Sequence, residues 1–225
     1  MLEPSVHAPA RATRGVVRSY GSAPGELAAC LRHVGLVQRG DLAAVPIAGA
    51  PAAIEAASAD LIGHALAVGG CVRVAGTWWS RPDARTLLIA GAPDAVARAT
   101  GLLRTQTRRR CALALGTDVE LVAMSVIGLH TATLLDDLGV LGPLGDLRVV
   151  SPCVPSAIGG ALAVWLLESD TNALCVVDRT DAEVVEQRIA LAGRPLRLAR
   201  VGHDALAQYL LLERRRASGA LRPPA

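Results

Sequence analysis

Asp41-Leu-Ala-Ala-Val-Pro-Ile-Ala-Gly49 and Asp118-Val-Glu-Leu-Val-Ala-Met-Ser-Val-Ile-Gly128 are two versions of one pattern. Each is an apolar strand closed by a glycine, where a tight turn opens a helix. The helices run on to Ile62 and Val140. A second pattern also occurs twice. It reads Gly69-Gly70-Cys-Val-Arg-Val-Ala-Gly-Thr-Trp-Trp79, a turn at Arg81-Pro-Asp-Ala84, then Arg85-Thr-Leu-Leu-Ile-Ala90 and a helix from Pro93. It returns as Gly159-Gly160-Ala-Leu-Ala-Val-Trp-Leu-Leu-Glu168, a turn at Ser169-Asp-Thr-Asn172, then Ala173-Leu-Cys-Val-Val177 and a helix from Asp181. Two modules repeated in the same order predict an α+β fold of two intertwined halves with internal pseudo-duplication. A cleft is expected on the pseudo-symmetry axis, and clefts between units are preferred ligand sites.

The chain has 225 residues, enough for one large domain or two small ones. Its apolar mass is Ala, Leu and Val, with no Phe. The formal net charge is +3 with acids and bases interspersed, so nothing calls for a nucleic-acid partner. Arg108-Arg109-Arg110 and Arg214-Arg215-Arg216 read as helix ends, where cations are favoured. Cysteines 30, 71, 111, 153 and 175 are scattered, without CxxC or Cys/His metal spacing, so no metal is expected. A scattered odd set fits a reducing compartment. No signal-like segment and no long uncharged apolar run is present, so the reading is a cytoplasmic protein with no membrane partner.

Residues 1–14 and 218–225 read as flexible tails. Leu141 to Pro155 reads as a Gly/Pro-rich connector, and Pro195 to Val201 as a strand leading into a last helix.

Trp78 and Trp79 are neighbours on a strand and so face opposite sides. One belongs to a core. The other is expected to line the cleft, where an indole face can stack on a planar ligand; two structural tryptophans is the other reading. Trp165 occupies the matching hairpin; pseudo-symmetry brings it toward the same axis, and core packing is its other reading. Arg73 and Arg85 flank the first hairpin and suit capture of a carboxylate tail. A solvated sheet face is the other reading of both. Glu168 and Asp170 read as turn polarity. His203 follows Gly202 at a strand-to-helix junction and is a candidate general acid or base, since its ordinary pKa is near neutrality.

With that layout drawn, the chain resembles the aminomethyltransferase superfamily. This includes the glycine-cleavage T-protein, a folate-binding iron–sulfur assembly protein, and folate-binding portions and small subunits of sarcosine oxidases. The matching stretches are Tyr20-Gly-Ser-Ala-Pro-Gly-Glu26 with Gly35-Leu-Val-Gln-Arg-Gly-Asp41, then Val45-Pro-Ile-Ala-Gly-Ala-Pro51 and Val126-Ile-Gly128. The last are Ala192-Gly-Arg-Pro-Leu196 and Val201-Gly-His-Asp-Ala-Leu206. The resemblance runs from about Val16 to Arg216. It implies two interleaved ferredoxin-like α/β units and no C-terminal β-barrel, because the chain ends where the family's barrel would start. Residues 15–62 with 113–150 are expected to form one unit, and 63–112 with 151–217 the other.

The resemblance also implies tetrahydrofolate or a derivative as ligand, and one-carbon transfer chemistry. Two departures bear on that. The family's paired aspartates of the first hairpin are replaced by Gly76-Thr-Trp-Trp-Ser80. Its pterin-gripping glutamate is missing from Ser156-Ala-Ile-Gly-Gly-Ala-Leu-Ala163, which leaves Gly160 near that place. Three readings therefore stay open. One is a folate-binding or folate-dependent transferase with Trp78, Trp79, Trp165, Arg73, Arg85 and Gly160 as ligand contacts and His203 as catalyst. Another is a non-catalytic subunit docked on a flavoprotein oxidase. The third is the same fold recruited for a different small substrate.

Overall fold

The computed structural model describes residues 12–13, 16–110, 113–116, 119–141 and 152–218. The chain opens with a two-stranded ribbon, β1 (Ala12–Thr13) and β2 (Val16–Val17), then α1 (Ala23–Arg32) and β3 (Gly35–Gln38). Next come β4 (Ala43–Gly49), α2 (Pro51–Ile62), β5 (Cys71–Val74), β6 (Thr77–Asp83), β7 (Thr86–Gly91), α3 (Pro93–Arg110) and β8 (Leu113–Leu115). The second half carries β9 (Leu121–Ile127), α4 (Thr131–Asp137), β10 (Cys153–Ile158), β11 (Ala161–Ser169), β12 (Asn172–Asp178), α5 (Ala182–Ala192), β13 (Ala199–Arg200) and α6 (His203–Ala217).

Apart from the terminal ribbon, the strands form two sheets. One has the order β5-β6-β7-β4-β8 and the other β10-β11-β12-β9-β3-β13. In the first, β4-α2-β6-β7-α3-β8 is a ferredoxin-like βαββαβ unit, with β5 added at the edge. In the second, β9-α4-β11-β12-α5 repeats the pattern. The place beside β9 is taken by β3, antiparallel, and β13 lies parallel outside it. The chain thus enters the six-stranded sheet through β3, builds the whole five-stranded sheet, and returns. That detour is the interleaving. The fold is α+β with two sheets, and no closed barrel occurs among the described residues.

The strand pairing differs from the expected division into 15–62 with 113–150 and 63–112 with 151–217. Residues 43–115 make one sheet, while 35–38 and 121–200 make the other. The reason is local. Each strand–helix block pairs with the hairpin that follows it, β4 with β7 and β9 with β12, as consecutive elements usually do. Part of the expected connector is also strand: Cys153–Pro155 begins β10. Residues 142–151 and Cys111 lie outside the described residues.

The two sheets pack face to face, and helices cover their outer faces. Period-2 alternation sorts the side chains. On the outer face of the five-stranded sheet Ile47, Trp79, Leu87 and Ile89 meet Ile54 of α2 and Val96 and Leu103 of α3. On the outer face of the other, Trp165 and Cys175 meet Leu134 and Leu135 of α4 and Val185 and Ile189 of α5. Between the sheets lie Trp78, Leu88, Ala90, Leu166, Leu174 and Val176. Beyond them, α1 and α6 cover the end of the inner layer through Cys30, Val37, Ile127 and Tyr209. No helix among the described residues is long and apolar enough to cross a membrane.

Candidate functional site

The alternation along β6 decides which tryptophan meets the cleft. Trp79 points to the helix side and donates its N–H to Thr77 Oγ1 at 2.8 Å. Trp165 also points to the helix side of its sheet and is completely buried. It therefore does not approach the axis, which corrects the expectation drawn from the repeat. The repeat carried Trp165 to the outer face because it matches Trp79 rather than Trp78.

Trp78 faces inward, and its indole N–H donates to Glu168 Oε1 at 2.6 Å. Glu168 sits at an irregularity in the pairing of β11 with β12, between Leu167 and Ser169. Glu168 keeps the inward parity of Leu166, and its carboxylate reaches Trp78 across the cleft. Asn172, the first residue of β12, donates its side-chain N–H to Glu168 Oε2. Arg73 from β5 lays its guanidinium 4.3 Å from the centre of the Trp78 ring, a cation–π contact. Its Nη1 is 4.0 Å from Glu168 Oε1. These groups line a cleft of about 480 Å³, closed on other sides by Arg39, Glu213 and Arg214. A carboxylate offers about four lone-pair positions. Trp78 and Asn172 occupy one on each oxygen, so the group is oriented and keeps acceptor capacity.

Arg85 and Gly160 are not brought to this cleft. Arg85 lies at the exposed β6–β7 turn, where its N–H donates to Asp83. Gly160 takes φ +89° in the β10–β11 turn, at the opposite end of β11 from Glu168.

His203 opens α6, and its Nε2 is 3.0 Å from the Gln38 carbonyl oxygen and 3.4 Å from Asp41 Oδ1. It joins a second cluster. Arg39 forms a fork to Asp41, Nε to Oδ1 at 2.8 Å and Nη2 to Oδ2 at 2.9 Å. Its Nη1 donates to Ser125 Oγ at 3.0 Å. Burial works to raise the Asp41 pKa, but the hydrogen bonds and charge of Arg39, with His203 beside it, outweigh burial and leave it lowered. Such an acid binds fewer protons folded than unfolded. Its contribution is therefore complete above its unfolded pKa of about 3.9 and is lost as pH falls through the lower folded value. Asp41→Asn is expected to melt at a lower temperature than the parent at pH 7, with the gap closing below about pH 4. A gap that is constant with pH would contradict this account.

Among the described cysteines thiol chemistry has little support. Burial pushes the thiols of Cys30 and Cys71 up to about 12 and that of Cys153 up to about 11. Burial raises Cys175 as well. Thiols so shifted carry almost no nucleophilic thiolate at neutral pH. Among the described residues no group of three or more His, Cys, Asp or Glu side chains could hold a metal ion.

Glu168, Asn172, Arg39 and Asp41 were not picked out as site residues by sequence reasoning. For Glu168 a signal existed: it has the strand parity of Leu166, which faces inward.

No protein-family model matches the chain, and no curated protein is similar to it in sequence. Solved structures are similar. One is a chain of the heterotetrameric sarcosine oxidase from Corynebacterium sp. U-96, solved in complex with pyrrole 2-carboxylate. The TM-score is 0.59 at 17% identity, covering 80% of this chain and 95% of that one. Another is aminomethyltransferase T of the glycine cleavage system from Bartonella henselae, with TM-score 0.65 at 13% identity, covering 89% of this chain and 57% of that one. The fold is T-protein-like. The chain spans a little over half the length of that aminomethyltransferase. Identities this low speak to fold, and function has to be argued from the site.

Proposed function

We propose that the protein binds a folate-type ligand in the Trp78 cleft and acts by positioning it. The observation that carries this reading is Glu168, held by Trp78 and Asn172 with acceptor capacity to spare. An aminopyrimidinone edge presents two parallel N–H donors, the partner a fixed carboxylate takes. The flat ring replaces the Arg73 guanidinium on Trp78, and the displaced arginine, with Arg214, meets the anionic tail. Glu168 thus stands in for the glutamate lost before Gly160. One-carbon chemistry in this cleft rests on orientation of the carrier, because the aspartates of the first hairpin are absent.

The test is calorimetric titration with 5-formyltetrahydrofolate. Glu168→Gln keeps the shape and removes the charge. Hydrogen bonds to a charged group contribute about 1.5–3 kcal/mol, so the Kd should rise roughly 10- to 100-fold. Equal affinity of the two proteins, or no heat up to millimolar ligand, would sink the reading.

A second reading draws on the 95% coverage of the sarcosine oxidase chain. The protein is then an accessory subunit of a flavoprotein oxidase. Gel filtration after co-expression with the catalytic subunits of a heterotetrameric sarcosine oxidase tests this, and separate elution of the chains counts against it.

A further inference from the structure

A second cleft, of about 780 Å³, opens between the sheets on the side of β4 and β9. Leu42, Ala44, Leu121 and Ala123 give it apolar walls, and Arg39 lies at its boundary with the Trp78 cleft, lining both. At the rim Glu120 and Arg179 pair at 2.7 Å, both well exposed. Arg39 is held firmly: its backbone N–H donates to the Ala123 carbonyl at 2.9 Å, and its side chain is 11% exposed. A guanidinium has five N–H protons. Among the described residues Arg39 gives one from each nitrogen, to Asp41, Ser125 and Asp41 again. One proton on each terminal nitrogen is left.

We propose that this second cleft is a binding site for a small organic monocarboxylate with an apolar body, held through the remaining N–H donors of Arg39. The apolar walls take the body, and the guanidinium takes the carboxylate by charge-assisted hydrogen bonds. Asp41 cancels most of the arginine's net charge without consuming those donors. Glu120 and Glu186 also line the cleft. Both are paired, Glu120 with Arg179 and Glu186 with Arg200, so the lining carries no surplus positive charge for a dianion such as phosphate, while a monocarboxylate finds the Arg39 donors and an apolar lining. The site does not depend on the folate reading: Arg39 lines both clefts, but the apolar walls and the ligand are those of the second cleft.

Saturation-transfer NMR titration with aliphatic and aryl monocarboxylates of two to eight carbons, each against its primary amide, tests the proposal. At least one acid should bind, with its amide at least tenfold weaker. Arg39→Lys keeps the charge, loses the fork, and should weaken binding at least tenfold. Val119→Trp places an indole at the mouth, leaves Arg39 untouched, and should abolish binding while the melting temperature stays that of the parent. If no acid binds, if acid and amide bind alike, or if Val119→Trp leaves acid binding intact, the proposal is overturned. The last result would place the acid on Arg73 or Arg214 in the other cleft.

Discussion

Trp165→Ala is expected to lower the unfolding free energy by about 3–5 kcal/mol, in the range of large aromatic-to-alanine changes in cores. The indole is completely buried among Leu134, Leu135, Val185 and Ile189, where α4 and α5 meet the six-stranded sheet. Removal leaves a cavity spanning two helices and a sheet, which cannot close without moving all three. One term works the other way. Trp165 Nε1 is buried and has no hydrogen-bond partner among the described residues, so its desolvation already burdens the native state. Trp165→Phe removes that N–H and keeps most of the contact. It should therefore cost much less than the alanine change. Urea denaturation measures both. An alanine variant within about 1 kcal/mol of the parent would be incompatible with this core placement.

Gly128→Ala should be of similar size, from a different cause. Gly128 follows β9 at φ +126°, a conformation closed to L side chains. A Cβ there would lie 2.5 Å from the His33 carbonyl oxygen and 2.6 Å from that of Cys30. Those carbonyls cannot withdraw. They end α1 and accept the N–H groups of His130 and Leu129 at 3.3 and 3.2 Å, satisfying acceptors a helix end leaves open. Strain and clash together should cost about 3 kcal/mol or more. Gly101→Ala is the control. It lies within α3 with nothing near its would-be Cβ, and should stabilise by about 0.5–1 kcal/mol. If both changes had the same small effect, the junction of α1 with the β9–α4 turn would not be as described.

These two residues also show what the sequence could carry. Gly128 was legible as a strand-to-helix glycine because the Val126-Ile-Gly128 pattern recurs at Ile47-Ala-Gly49. The repeats foretold two similar units, and the alternation foretold that Trp78 and Trp79 would part. Sheet membership was less accessible. Nothing in Gly35–Gln38 says that it crosses to the other sheet, since its partner β9 lies more than 80 positions away. The inner layer was harder still. Arg39 reads as one more surface arginine, and only the return of the chain through β9 sets Ser125 beside it. Glu168 resembles any acid at a hairpin turn until the packing of the two sheets sets it against an indole from the other sheet. The side chains that line the clefts come from pairs of segments that composition cannot bring together.

The central claim is that Glu168 and the inner face of Trp78 receive a flat ligand. A crystal structure with 5-formyltetrahydrofolate at saturating concentration tests it most directly. The account predicts Arg73 swung away from Trp78, the bicyclic ring stacked in its place, and ring N–H groups within hydrogen-bond distance of Glu168. Density showing Arg73 still seated on Trp78, with the cleft empty or the ligand bound elsewhere, would contradict it.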